Sequence, residues 1–181
     1  MPKRAGAIAA VSVVALVVAA VAVGGSSPDV TVLAKQARTL VRSQAVFAKA
    51  VLLEADGTPA TAAKVKTAAA IVNWRFVFDN QRTGSKYASA FVWAHSGTFG
   101  KVKGNVEPFL EDEVISPVPQ MTLARAVTLL NAAGYKAGFY NVTLRKPLYP
   151  GVTSPFYFFT LGNLKYVAVN TTTGKVKPVS G

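Results

Sequence analysis

The sequence predicts an α+β fold built from two tandem modules, each with a helix followed by an antiparallel sheet. Three observations lead to this prediction. Residues 30–54 carry apolar side chains at spacings of three and four, as one face of a helix does. Residues 71–80 and 86–95 carry aromatic side chains at alternate positions, as strands do. The tetrapeptide Gly-Lys-Val-Lys occurs at 100–103 and again at 174–177, each time after a Lys-Tyr strand, which indicates a repeat.

Residues 1–27 have the features of a signal peptide or a membrane anchor. Lys3 and Arg4 precede an uncharged run over 5–23, and small residues follow it. The stretch 20–22, Ala-Val-Ala, fits the small-x-small pattern of a cleavage site, whereas an uncleaved anchor is the alternative because the run is just long enough to span a bilayer. We therefore expect an extracellular or cell-envelope protein that touches a membrane only through this segment, if it is not cleaved.

Composition and charge narrow the choice of partner. The chain of 181 residues has no cysteine, which excludes disulfide bonds and thiolate chemistry. Twenty basic and eight acidic residues give a net charge of +12, and loss of Lys3 and Arg4 would leave eighteen against eight, or +10. Such a charge favours an anionic cell-wall polymer or an acidic protein surface as the partner. Nucleic acid is not expected for an exported protein, and a solvated basic surface without a partner is the alternative.

The first module is predicted over 28–105. Asp29 follows a proline and lies where a helix would begin, near the positive end of its dipole. The helix is expected to continue through 34–53 and to end in a turn at 55–59, and the Ala- and Lys-rich stretch 60–70 favours a short second helix.

Three strands follow in the first module, over 71–80, 86–95 and a short final stretch at 101–105. The spacing predicts that Trp74, Phe76 and Phe78 face the helix and that Arg75 faces the other way. The aromatic residues of the paired strands are expected to pack together in the core: Trp74, Phe76, Phe78, Tyr87, Phe91 and Trp93.

A linker rich in proline and acidic residues is predicted over 106–120. It holds four of the eight acidic residues of the chain: Glu107, Glu111, Asp112 and Glu113. A solvated connector is the expected structure. The alternatives are docking of the acidic residues on the basic helix and binding of a hard cation, for which the spaced ligand pattern is missing.

The second module is predicted over 121–181. Thr122 is a typical N-cap and Gly134 a typical end for its helix, and strands follow over 137–146, 156–161, 165–170 and 175–179. The four consecutive aromatic residues at 156–159 populate both faces of a strand, so some of them must be covered by the other module or by a partner.

This second module resembles a PepSY domain. The helix start and the closing Tyr-x-Val…Thr-Gly-Lys-Val signature carry the resemblance: Thr122, Ala124, Ala126, Tyr166, Val167, Val169, Thr173, Gly174, Lys175 and Val176. Asn170 stands where the family usually has an acidic residue. The first module is less similar and keeps only Lys86-Tyr87 and Gly100-Lys101-Val102 of the pattern.

The resemblance implies non-enzymatic domains outside the cytoplasm, found in propeptides of secreted metallopeptidases and in stand-alone secreted proteins. Inhibition or regulation of peptidases is the activity that it implies, although this chain contains no HExxH motif. We therefore expect a secreted, non-enzymatic binding protein that inhibits or modulates an extracellular peptidase. The alternative is a structural protein of the cell envelope that binds an anionic wall polymer.

No catalytic residue, metal ligand or cofactor is expected. His95 is the single histidine, and no motif places an acid and a nucleophile beside it or forms a phosphate-binding loop. The predicted partner-binding residues belong to the repeated segments, whose last strand is expected at a sheet edge: Lys101, Lys103, Lys175, Lys177, Tyr87 and Tyr166. Lysines at an edge either prevent promiscuous pairing or steer an acidic partner to it.

Overall fold

The computed structural model describes residues 28–162 and 165–179. The elements within them are α1 (Val30–Arg42), β1 (Ala50–Pro59), β2 (Ile71–Asn80), β3 (Ser89–His95), β4 (Thr98–Phe99), β5 (Lys103–Asn105), α2 (Leu123–Ala132), β6 (Asn141–Arg145), β7 (Phe156–Gly162), β8 (Lys165–Asn170) and β9 (Val176–Val179). Short 3-10 turns lie at Ala45–Phe47 and Ala68–Ala70. The predicted signal peptide or anchor lies outside these residues, and none of the described helices is long and apolar enough to cross a membrane.

All the described strands belong to one antiparallel sheet. Its order is β4-β3-β2-β1-β6-β7-β8-β9, and β5 pairs with the first residues of β3 while β4 pairs with its last ones. Strand β1 pairs with β6 from Glu54 opposite Arg145 to Gly57 opposite Val142, so the two halves of the chain share a continuous sheet. The prediction of two tandem helix-plus-sheet modules is therefore wrong: the described chain is mainly one nine-stranded antiparallel sheet with two helices.

The strand β1 is the element that the prediction of two modules takes for a helix. Helix α1 ends at Arg42, and residues 50–59 form a strand, so the predicted helix over 34–53 and the predicted turn at 55–59 are both wrong there. A short apolar run fits a buried strand as well as a helix. Pairing with β2 on one side and β6 on the other decides for the strand, and this long-range pairing is invisible in a local pattern. The predicted helix over 60–70 is reduced to the 3-10 turn at Ala68–Ala70.

Both helices begin at the same point in the structure. Asp29 is the N-cap of α1, and its Oδ1 accepts a hydrogen bond from the backbone N–H of Thr31 at 3.0 Å. Its Oδ2 accepts a second one, at 2.9 Å, from Leu123 in the first turn of α2. Thr122 caps α2 by accepting from Arg125 N–H at 3.2 Å, so the predicted starts of both helices are confirmed.

One hydrophobic core lies between the helices and the face of the sheet that they cover. Trp74, Phe76 and Phe78 are buried in it, as the alternation in β2 predicted. Residues of both halves share this core, and Tyr157 of β7 is fully buried with its hydroxyl donating to the backbone oxygen of Met121 at 2.8 Å. We call this the inner face, and the opposite side of the sheet the outer face.

The segment 106–120 is part of the fold. The hydroxyl of Ser89 donates to the backbone oxygen of Glu107, and Ile115 N–H donates to the backbone oxygen of Leu52, both at 2.8 Å. Asp112 is buried and Ile115 belongs to the core, so the expectation of a solvated connector is wrong for this part of it. The boundaries predicted for the modules, 28–105 and 121–181, stay predictions.

Candidate binding surface

The outer face of the sheet presents two rows of side chains that cross it from edge to edge. Paired residues of antiparallel strands point to the same side of a sheet, so the pairing defines each row. The first row contains Lys103, Phe91, Val77, Glu54, Arg145, Phe156 and Asn170. The second row contains Trp93, Arg75, Asp56, Thr143, Phe158, Ala168 and Lys177.

Charged side chains meet at the centre of the outer face, where β1 pairs with β6. Arg75 donates from Nη2 to Glu54 Oε1 at 3.0 Å and from Nε to Asp56 Oδ2 at 2.9 Å. The hydroxyl of Thr143 donates to the other oxygen of Asp56 at 2.9 Å. These bonds connect β2, β1 and β6, so the polar cluster fastens the two halves of the sheet together.

The segment 106–120 adds another ion pair to this centre. The Nε of Arg145 lies 2.8 Å from Oδ1 of Asp112, whose side chain is fully buried. The two groups are close but not aligned as a hydrogen bond, so the contact is an ion pair alone. Lys146 and Glu113 form a further pair beside it.

Burial changes the protonation of the central carboxyl groups. Burial first, and then the neighbouring carboxyls of Asp56 and Asp112, raise the pKa of Glu54 to about 8, while Arg75 opposes them. Burial also raises the pKa of Asp112 to about 6, against the lowering effect of Arg145. Glu54 is therefore largely neutral at pH 7, and Arg75 and Arg145 face one charged carboxylate each. Among the described residues, no group of three acidic or histidine side chains is placed to hold a metal ion.

Aromatic rings with a cation above them lie on both sides of this centre. The ammonium nitrogen of Lys103 lies 5.2 Å from the ring centre of Trp93, and that of Lys177 lies 5.5 Å from the ring of Phe156. The guanidinium of Arg145 lies 5.6 Å from the ring of Phe158. Attraction between a cation and the face of an aromatic ring holds these charges on the outer face.

The predicted lysines lie at the two edges of the sheet. Lys103 is in β5 and Lys177 in β9, while Lys101 lies in the break between β4 and β5 and Lys175 directly precedes β9. All four are exposed, and the valines between them, at 102 and 176, pack against the core. Lys103 and Lys177 thus lie in edge strands as predicted, Lys101 and Lys175 do not lie in a strand, and partner binding by all four stays a prediction.

The two predicted tyrosines are not equivalent in the structure. Tyr87 precedes β3 by two residues and packs toward the core, with its ring 5.7 Å from that of Phe47. Tyr166 is in β8 and pairs with Thr160 and Val179. Tyr166 lies two residues from Ala168 of the second row, so it shares the outer face with Lys177, whereas Tyr87 does not.

Two aromatic residues expected in the core lie on the outer face. Phe91 pairs with Val77 and Trp93 pairs with Arg75, which places both rings opposite the side that holds Trp74. The outward direction of Arg75 followed from the alternation in β2. The position of Trp93 depends on the register of β3 against β2. The length of the loop between these strands does not determine that register.

A hollow of about 360 Å³ lies between the starts of the two helices, lined by residues that include Asp29, Trp74 and Thr122. Both carboxylate oxygens of Asp29 already accept hydrogen bonds from backbone N–H groups. The rest of its lining is mainly apolar, so the hollow offers a ligand fewer polar contacts than the outer face does.

No protein-family model matches the chain, and no curated protein or solved structure matches it. The resemblance to PepSY domains stays a prediction that depends on the quoted motif residues.

Proposed function

We propose that the protein is a non-enzymatic binding protein of the cell envelope, and that it holds an anionic polymer on the outer face of its sheet. One observation carries this proposal. Lys103 and Lys177 come from opposite edges of the sheet, and both place their ammonium groups over aromatic rings of the outer face.

The charge of the outer face supports an anionic ligand. The central arginines are matched by Asp56 and Asp112, and the raised pKa of Glu54 keeps that carboxyl largely neutral at pH 7. The two lysines are therefore the unmatched charges of the rows, in a chain with a net charge of +12. A positive surface of this kind attracts polyanions and raises their rate of association.

The separation of the two lysines supports an extended polymer over a small anion. The rings beneath them belong to β3 and β7, which are four strand spacings apart in the sheet. At about 4.8 Å per spacing this is roughly 19 Å. A single phosphate or carboxylate group cannot reach both lysines. A chain of anionic groups can lie along the second row, where Trp93 is exposed and Arg75 partly exposed, whereas Val77 and Glu54 of the first row are buried.

Reversal of the two charges tests the proposal. Lys103→Glu with Lys177→Glu should weaken binding to inorganic polyphosphate at least about ten-fold at low salt, since two attractive contacts become repulsive. The control is Lys35→Glu with Lys136→Glu, which changes the net charge equally at exposed positions on or next to the helices. Equal weakening by both pairs would mean that net charge alone attracts the polymer, and the proposal would fail.

Modulation of an extracellular peptidase is the second candidate, because the lysine-bearing strands are sheet edges that an extended segment of a partner can join. The structure of the two edges favours peptidase binding less than it favours polymer binding. Pro178 leaves β9 without one N–H donor, and Gly100 to Val102 interrupt the other edge. Both features are typical of edges protected against pairing.

The substitutions Lys175→Glu with Lys177→Glu test this second candidate. Exposed charge reversals should leave stability nearly unchanged. They should weaken inhibition of a co-secreted metallopeptidase by slowing association, if the edge of β9 is the docking site. Unchanged inhibition constants at low salt would leave these lysines only a protective role.

A further inference from the structure

We infer that the second row of the outer face is a glycan-binding site, so that the anionic polymer of the proposed function is a sugar polymer. This inference rests on the proposed function and names its ligand class. The row runs from Trp93 through Arg75, Asp56 and Thr143 to Phe158, with an aromatic ring at each end and hydrogen-bonding groups between them.

Trp93 is the main element of this site. It is 43% exposed, although it lies in the middle of a strand, whereas the other tryptophan, Trp74, is 3% exposed in the core. A sugar ring has a face of C–H groups that packs against a flat aromatic ring and an edge of hydroxyl groups. The exposed part of the Trp93 ring supplies the flat apolar surface, and Lys103, whose ammonium lies over this ring, supplies a charge for an acidic substituent.

The polar groups next to Trp93 suit the hydroxyl edge of a sugar. Arg75 stands opposite it on β2 and supplies N–H donors. Oδ2 of Asp56 is occupied by Arg75, whereas Oδ1 accepts one hydrogen bond from Thr143 and can accept a second from a sugar hydroxyl. His95, two residues along β3, lies with its Nδ1 2.6 Å from Oδ1 of Asn73. Each hydroxyl both donates and accepts, so a mixed set of donors and acceptors fits a glycan.

The same set of groups disfavours a nucleic acid. The phosphodiester backbone of single-stranded DNA offers hydrogen-bond acceptors but no hydroxyl donors, so it cannot donate to Asp56 in the middle of the row. A surface that binds single strands combines stacking rings with a continuously basic groove. Here Arg75, between the rings, is matched by Asp56, and a sugar hydroxyl can donate to Oδ1 of Asp56.

The length of the row matches an extended ligand. Trp93 is in β3 and Phe158 in β7, so their rings are four strand spacings apart, or roughly 19 Å. The guanidinium of Arg145 lies over the ring of Phe158, as the ammonium of Lys103 lies over the ring of Trp93. A short oligosaccharide segment can therefore contact an aromatic ring and a cation at both ends.

Three probes separate the possible ligands: heparin as a sulfated glycan, inorganic polyphosphate as a polymer without sugars, and an oligothymidine single strand. Trp93→Ala should weaken heparin binding about ten-fold, as loss of one stacking contact does, and should leave polyphosphate binding nearly unchanged. Trp93→Phe should keep most of the affinity for heparin. The control Tyr149→Ala removes an aromatic residue that is 70% exposed in another part of the chain and should change neither.

A second measurement uses the unaltered protein, so it does not depend on the folding of any variant. Trp93 is the exposed member of the two tryptophans, so quenching of fluorescence by acrylamide reports mainly on it. Saturating heparin should reduce this quenching, and saturating polyphosphate should reduce it much less. Equal quenching with and without heparin would overturn the glycan site.

The outcomes distinguish this inference from the proposed function. If Trp93→Ala binds heparin normally while Lys103→Glu with Lys177→Glu does not, the glycan site is wrong and the polyanion surface stands. If the lysine pair has no effect on polyphosphate, the proposed function itself fails. If the oligothymidine strand binds more tightly than heparin and depends on Trp93, the row is a nucleic-acid site and the inference is wrong.

Discussion

At the scale of single residues, Asp29 connects the starts of both helices. One carboxylate caps α1 through Thr31 N–H and also accepts from Leu123 N–H at the start of α2. The first N–H groups of a helix have no partner within it, so both helices depend on these oxygens. Asp29 and Leu123 are 94 positions apart in the chain, so this one side chain joins two distant elements.

Replacement of Asp29 should therefore destabilise both helix starts. Asp29→Ala should lower the free energy of unfolding by about 2 kcal/mol, since loss of one cap typically costs about 1 kcal/mol and two acceptors are lost. Thr122→Ala removes a cap of α2 alone and should cost about half as much. Urea unfolding monitored by circular dichroism measures both, and an equal cost for the two variants would contradict the double role of Asp29.

Glu54 should make the protein less stable at mildly alkaline pH. Its folded-state pKa of about 8 is above the ordinary 4.5, so the folded state binds the proton more tightly than the unfolded chain. The resulting stabilisation is complete below about pH 4.5 and is lost as pH rises toward 8. Asp112 acts in the same direction between 3.8 and about 6.

The free energy of unfolding should therefore fall between pH 5 and pH 8. Glu54→Gln keeps the shape of the side chain and removes its titration, so it should flatten this profile and be the more stable protein at pH 8. Denaturant unfolding at a series of pH values measures the effect. A wild-type profile that rises from pH 5 to pH 8, or a glutamine variant with the same slope, would contradict the assignment.

Individual residues differ in how far the sequence alone could place them. Asp29 and Thr122 were predicted because capping is a local property of the chain. The burial of Trp74, Phe76 and Phe78 followed from alternation within one strand. The outer-face position of Trp93 and the buried state of Glu54 depend on the register between strands, which is set by distant parts of the chain.

At the scale of elements, β1 decides the architecture. It pairs with β2 along its length and with β6 over four residues, and it contains a bulge between Leu52 and Glu54. The run of apolar residues before Glu54 resembles a helical face, because local spacing does not distinguish a helix from a strand buried on both sides. A prediction that treats β1 as a helix cannot include its pairing with β6, and this pairing links the two halves of the sheet.

Gly57 in β1 allows a close approach to the core. A Cβ atom at this position would lie 2.6 Å from the ring of Trp74 and 2.7 Å from Ile71. Gly57→Ala should therefore lower the free energy of unfolding by about 1–3 kcal/mol through overpacking. Thermal unfolding measures this cost. The control Gly100→Ala has its nearest neighbour at 3.7 Å and should be almost neutral, so equal costs would contradict the packing argument.

At the scale of the whole molecule, the shared sheet and core predict a single cooperative unit. The pairing of β1 with β6 and the shared hydrophobic core connect the two halves of the chain. These halves were predicted to be separate modules over 28–105 and 121–181. Heating should give one transition whose calorimetric and van 't Hoff enthalpies agree. Two resolved transitions would show that the halves unfold as separate domains after all.

The two sides of the molecule also differ in composition. The inner face is covered by both helices, whereas the outer face carries exposed lysines over aromatic rings and a largely buried cluster of ion pairs between them. The positive charge was predicted from composition. The position of this charge over aromatic rings could not be predicted in the same way. It depends on strand pairing at opposite edges of the sheet, which brings Lys103 and Lys177 to one face.

Lysine acetylation of the intact protein, with and without saturating inorganic polyphosphate, tests most directly which side binds the polymer. Mass spectrometry of the digested chain gives the reactivity of each lysine. The outer-face account predicts that Lys103 and Lys177 become protected, while Lys35 and Lys136 stay as reactive as in the free protein. Equal protection of all four, or protection of Lys35 and Lys136 alone, would contradict it.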